Sequence, residues 1–244
     1  MELLVVGAGA MGRWFADTVA GTDDSVGFAD ADPDAATAAV DEVGGHVVDP
    51  ATEESFDVVC VAVPMDAVSD AIAEHAGLAS EAVLDVSGEM RDSVAALEAH
   101  ATGVERASLH PLFSATNAPG NVPVVVDRDG PALQAIREAL SAAGNEVFET
   151  TPAEHDRAME TVQARAHTAV LAYALAAEDV DPRFHTTLSG PLSELAEQLT
   201  GNTPAVYADI QERFDGGESV AEAARLLAAA DREAFLELYE DADR

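Results

Sequence analysis

Residues 2–20 read ELLVVGAGAMGRWFADTVA. A short apolar run, Leu3–Val6, meets three glycines, Gly7, Gly9 and Gly12, and a helix-like stretch follows from Met11 to Ala20. The glycines form either a tight turn that merely packs well or a seat for a pyrophosphate. A strand, then G-x-G-x-x-G, then a helix is the context that dinucleotide binding requires. On that reading Gly7 makes the tight turn, Gly9 lets backbone approach the anion, and Gly12 lets the helix pack on the strand. Ala10 and Met11 open the helix. Its N-terminus offers unpaired N–H groups and the positive end of a dipole.

The next strand supplies a second check. Asp30, in VGFADADP, lies 18 residues past Gly12, near the spacing of about 20 expected of an acid that bonds a ribose 2′-hydroxyl. An acid there repels a 2′-phosphate, which favours NAD over NADP. Asp32 instead begins the turn with Pro33. Arg13 either assists a phosphate or is a solvated arginine.

Short apolar strands continue outward from this start: Ser25–Ala29, His46–Val48, Asp57–Val63, Ala82–Val86, Arg106–His110, Val122–Val126 and Glu146–Phe148. Alanine-rich helices lie between the early ones. Strands apolar throughout and joined by helices predict a parallel sheet covered on both faces. The expected fold class is α/β, with a Rossmann-type doubly wound parallel sheet over residues 1–150. Near Thr150 the pattern changes. Thr151, Pro152 and Glu154 form a capping box with proline at the first helical position. A helix of about 25 residues is expected there, followed by helical patterns over Pro191–Thr200, Pro204–Phe214 and Ser219 to near Tyr239. Residues 151–244 therefore read as an all-α domain. Val162, Val170, Leu171 and Tyr173 make its first helix too apolar to stand alone. A homodimer through this domain, or the following helices, would cover it.

The formal charge is −34, and all twelve basic residues are arginine. Acid on this scale opposes binding to nucleic acid or to an anionic membrane. It is spread along the chain, as expected of a halophilic protein adapted to molar salt, where charges are screened within about 3 Å. No apolar run approaches the roughly 18 residues of a membrane span, and Leu3–Val6 is too short for a signal peptide. A soluble cytoplasmic protein is expected. The single cysteine, Cys60 in FDVVCVAVP, offers no disulfide and no metal set.

Three consecutive strand ends point chemistry toward one crevice, because ligands of such folds sit at the carboxyl edge of the sheet. Val63 and Pro64 end the first, Ser87 in LDVSGEM the second, and His110 in SLHPLFS the third. A histidine at that edge, beside a nucleotide, suits acid–base work near pH 7. Farther on, His155, Met159, Gln163 and His167 recur every four residues and share one broad helix face at 100° per residue.

The segments GAGAMGRWFA, DVVCVAVP, LDVSGEM, SLHPLFS and EHDRAMETVQARAH, with VYADI at Val206–Ile210, occur here in order. In this the chain resembles the prephenate and arogenate dehydrogenases, the TyrA family, over most of its length. The resemblance implies an NAD-dependent oxidative decarboxylation of a small-molecule substrate in tyrosine biosynthesis. It makes His110 the general base or hydrogen-bond acceptor. Ser87 would bond the same hydroxyl or orient the imidazole, and His155 and Gln163 would lie near the substrate. The family's Ser-Val-Lys reads Ser87-Gly88-Glu89 here. The family also offers an arginine to a substrate carboxylate, where LSGPLSELAEQL has none and Glu194 stands close to its place. Arg157 and Arg165, on the long helix, are the best replacements; Arg183 or an arginine of a partner subunit are others. Two further readings keep the fold: a related NAD(P)-dependent reductase or dehydrogenase acting on another small substrate, and an NAD-binding sensor without turnover. A catalytic lysine of the 3-hydroxyacid dehydrogenase kind is excluded, since the chain has no lysine.

Overall fold

Leu3 and Val5 belong to one buried cluster and Leu4 and Val6 to another. A strand whose alternate side chains enter two separate cores lies in a sheet covered on both faces. The computed structural model describes residues 1–243, and the chain divides into two compact units, Met1–Asp156 and the residues from Arg157. The divide falls inside a helix, just beyond the change of pattern at Thr150.

The first unit runs β1 (Glu2–Val6), α1 (Ala10–Val19), β2 (Ser25–Ala29), α2 (Pro33–Val43), β3 (His46–Val47), β4 (Phe56–Val61), α3 (Val68–His75), β5 (Ala79–Val86), α4 (Arg91–His100), β6 (Glu105–Leu109), β7 (Asn121–Arg128), α5 (Pro131–Ala142) and β8 (Glu146–Glu149). The strands form one sheet in the order β3-β2-β1-β4-β5-β6-β7-β8. The order reverses between β1 and β4, the switch point where doubly wound sheets bind ligands. Phe15, Ala36, Leu133, Ile136 and Leu140 fill one face; Val68, Ile72 and Leu97 fill the other. Cys60 is fully buried in β4, and that burial pushes its thiol well above the usual range.

One expectation fails. β7 runs antiparallel to β6, so the sheet is mostly, not wholly, parallel. Residues 110–120 hold only a single short turn, and a parallel return would need a crossover of a dozen or more residues, usually a helix. β8 is again parallel to β7, with α5 as its crossover.

The second pattern begins as expected. Thr151 Oγ1 accepts from the Glu154 N–H at 3.2 Å, and α6 spans Pro152–Met159. The helix then widens into a π-helical stretch, Glu160–Arg165, before α7 (Ala166–Ala176) resumes. A π turn holds more residues than an α turn, so the even 100° step assumed for His155, Met159, Gln163 and His167 does not hold across it. α8 (Ser189–Thr200), α9 (Pro204–Arg213), α10 (Gly217–Ala229) and α11 (Arg232–Asp241) follow. The single helix expected from Ser219 to Tyr239 is two, because Asp231 caps the second by accepting from the N–H groups of Glu233 and Ala234. Among the described residues, no helix is long and apolar enough to cross a membrane, and no group of His, Cys, Asp and Glu could hold a metal ion.

Candidate active site

The glycine loop is built for close approach. Gly7 has φ +100°, and a Cβ there would lie 2.4 Å from the Ala62 carbonyl oxygen of the neighbouring strand's end. A Cβ on Gly12 would meet the Gly7 oxygen at 2.1 Å. Both glycines thus serve the turn and the helix–strand packing. Gly9 differs: nothing lies within 4 Å of a Cβ placed there. It precedes α1, whose first turn has neither a side-chain cap nor an acidic residue. Open space in front of uncapped N–H groups fits a pyrophosphate. Ala10 is exposed and Met11 half-buried at that end.

Asp30, just past β2, accepts from Ala8 N at 2.7 Å and from Asp32 N at 2.8 Å. Its carboxylate therefore stands beside the glycine loop. Asp32 caps α2 through Asp34 N. Arg13 is half-buried and pairs with Glu42 at 3.1 Å. Val63 is half-buried and Pro64 exposed after β4.

His110 follows β6 at the same carboxyl edge and is 8% exposed. Its Nδ1 lies 2.9 Å from Nε2 of His155. His155 Nδ1 in turn lies 2.9 Å from Asp156 Oδ1, which also accepts from Met90 N at 3.2 Å. A buried line of imidazole, imidazole and carboxylate results, all within the first unit. Burial pulls the His110 imidazole down to about 3, with His155 adding to the effect and Asp156 opposing it. Burial pushes the Asp156 carboxyl up, but hydrogen bonds from His155 and Met90 outweigh it and hold the group below its ordinary value.

The Ser87 hydroxyl lies within bonding distance of the Asp85 carboxylate, the Glu89 carbonyl at 2.9 Å and the Ser93 hydroxyl at 3.0 Å. It joins a buried polar cluster, and the side chain that meets the His110 ring is His155. His155 itself has both ring nitrogens engaged and is 2% exposed. Sequence reasoning missed Glu89 and Asp156 as members of this cluster. The adjacent pair His155-Asp156 was the available signal. Asp85 is fully buried, and burial raises its carboxyl to about 6 against the hydrogen bond from Ser87.

In the second unit Gln163 is half-buried in the π stretch. Arg157 is exposed. Arg165 is half-buried, 3.4 Å from Thr161 Oγ1, with its Nε buried and unbonded. Arg183 pairs with Asp181, and Arg165 with Glu160 at 4.0 Å. His167 packs edge-on against Tyr207, ring centroids 4.9 Å apart.

A switch-point glycine loop, an acid beside it and a fixed imidazole on the same edge define a dinucleotide-dependent dehydrogenase. Residues 2–88 match the family model described as NADP oxidoreductase, coenzyme F420-dependent. The chain is 31% identical over 240 residues to the 4-amino-4-deoxyprephenate dehydrogenase of Streptomyces pristinaespiralis, covering 91% of this chain and 80% of that one. The chain belongs to the prephenate and arogenate dehydrogenase family, TyrA. It is also 29% identical over 200 residues to the T-protein of Haemophilus influenzae, covering 77% of this chain and 52% of that protein. Among solved structures it is similar to prephenate dehydrogenase from A. aeolicus in complex with hydroxyphenyl propionate and NAD+, with a TM-score of 0.74 at 20% identity, covering 100% of this chain and 95% of that one. Arogenate dehydrogenase from Synechocystis gives 0.60 at 16% identity, covering 100% and 98%.

Proposed function

We propose that this protein oxidatively decarboxylates prephenate or arogenate, with NAD as hydride acceptor, in tyrosine biosynthesis. The observation that carries the reading is His110, held by His155 at 2.9 Å on the carboxyl edge of the sheet. His110 takes the proton of the substrate's ring hydroxyl. NAD, when bound, would supply the acceptor for the hydride that leaves the same ring carbon. The hydroxyl becomes a carbonyl and carbon dioxide leaves as the ring becomes aromatic. A base buried in a dry site and fixed by a hydrogen bond needs little reorganisation as the proton moves.

Gly7, Gly9, Ala10, Met11 and Gly12 would hold the pyrophosphate, with Val63 and Pro64 flanking the nicotinamide side. Asp30 would receive the ribose hydroxyls, since its oxygens can accept further bonds; its charge favours NAD over NADP. Ser87 acts through its cluster at the end of β5. Arg165, with an unbonded buried Nε, is the better-supported carboxylate ligand, with Arg157 and Gln163 as neighbours on the same helix. Residues 1–150 serve as the dinucleotide domain and residues 151–244 as a helical substrate and dimerisation domain. A homodimer is supported by the apolar side chains exposed there, Leu175, Phe184 and Leu188 among them at 87%, 77% and 78%. The charge of −34 supports a cytoplasm of molar salt.

The relative from Streptomyces pristinaespiralis favours one alternative substrate, 4-amino-4-deoxyprephenate, which carries an amine in place of the ring hydroxyl. NADH formation in molar salt with each of the three compounds is the test. Turnover of one of them selects the substrate. NAD binding without turnover of any would favour the sensor reading.

A further inference from the structure

Half-buried Glu89 lies in the link between β5 and α4, and the N–H of the next residue, Met90, donates to Asp156 Oδ1 at 3.2 Å. One Glu89 oxygen accepts from Arg91 N at 2.7 Å and both accept from Asp92 N, at 3.1 and 3.0 Å. A hydrogen bond to Glu89 is among the contacts that favour the Asp156 carboxylate. Two carboxyl groups that accept from consecutive N–H groups, those of Met90 and Arg91, one of them in line with the His155 and His110 rings, do not both ionise freely. We propose that Glu89 and Asp156 hold one proton between them at acid pH, and that this pair, acting through His155, governs how readily His110 takes the substrate's proton.

The inference rests on the reading of His110 as the base. Glu89 is a positioning residue, since it reaches the reaction only through Asp156 and His155. Its carboxyl is pushed up to about 7, by burial first and by the Asp156 charge second. The sign follows directly. Below that pH the pair carries one negative charge; above it, two. The added charge favours an imidazolium at His110, as the Asp156 charge does, and so strengthens a base that burial has weakened. Other charges face the pair. Arg91 lies 3.8 Å from Asp156 but is 66% exposed and therefore well screened. Asp92, at the start of α4, repels the Glu89 charge. Asp85, behind Ser87 on β5, titrates lower, at about 6. Any limb it contributes survives when Glu89 is changed.

The experiment is a pH profile of kcat/KM in molar salt for wild type and Glu89→Gln. Glutamine keeps an oxygen for the α4 N–H groups and imitates the protonated acid. In wild type, kcat/KM should rise roughly tenfold through a limb near pH 7. In Glu89→Gln that limb should vanish, with the rate left at the acid plateau and the KM for NAD unchanged. A variant that keeps the limb and its midpoint overturns the proposal. A second measurement needs no turnover: the ring-nitrogen NMR shifts of His110 and His155 in the wild-type protein. An inflection near pH 7 that disappears in Glu89→Gln supports the coupling, and its absence in wild type refutes it. If no substrate is oxidised, His110 loses its role as base, while the ring titration still decides whether the carboxyl pair acts on it.

Discussion

The two units differ in how they dispose of apolar surface. The sheet unit buries most of what it has: Leu3, Leu4, Val58, Val59, Leu84 and Leu109 are at most 1% exposed. In the helical unit the pattern inverts. Twelve of the fifteen large apolar side chains exposed among the described residues lie beyond Asp156, and α7 buries none of its residues. The first unit is therefore a self-sufficient scaffold that can hold a polar line in its interior. The second leaves much of its apolar surface exposed among the described residues. That contrast explains why the described acid–base groups sit in the unit that can keep them dry.

Four changes would break or sharpen this contrast. The largest effect is expected at the buried imidazole. His110→Asn should lower NADH formation by roughly a thousandfold and leave NAD affinity unchanged by calorimetry; full activity would remove His110 from the chemistry. Next come the glycines, where one loop contains both kinds of constraint. Gly7→Ala should cost about 1–3 kcal/mol in urea denaturation, since φ +100° and the Ala62 oxygen oppose a Cβ. Gly9→Val should leave the melting temperature unchanged and weaken NAD binding at least tenfold. Equal effects in the two variants would mean that the loop is only a turn.

The third change concerns the exposed apolar face. Phe184→Glu with Leu188→Glu should convert a dimer to a monomer by light scattering, with the sheet unit's far-UV signature intact. A wild-type monomer at micromolar concentration would refute the dimer outright. The smallest effect is expected at Asp85. Its carboxyl titrates near 6 when folded against 3.8 as its ordinary value. The native state therefore binds the extra proton between those values, and stability rises as pH falls through that window. Asp85→Asn should add of order 2 kcal/mol at pH 8 and flatten the urea-midpoint profile between pH 4 and 6.

Most of the sheet was legible in the chain. β1 and β2 begin and end where the apolar runs do, because strands buried on both faces have uninterrupted apolar sequence. The direction of β7 was not legible from its own residues; it is set by the short link from β6. The π stretch was hidden for a similar reason, since Glu160–Arg165 looks like ordinary helix and the widening is decided by packing. His110 was legible because a histidine at a carboxyl strand end has few structural reasons to be there. The partner of His110 was not, because His155 lies 45 residues on and only the folded chain shows which ring faces which. Glu89 read as a departure from the family's Ser-Val-Lys, and its neighbour Asp156 became visible only when α6 closed over α4's first turn.

The solitary Cys60 thiol, sealed near the carboxyl end of β4, gives this protein an intrinsic reporter of its own integrity. An alkylating reagent reaches it only when the strand separates from β1 and β5. The rate of labelling under native conditions is then a clock for opening of the nucleotide-binding scaffold. Repeating it across salt concentrations would weigh the mutual repulsion of so many carboxylates without any denaturant.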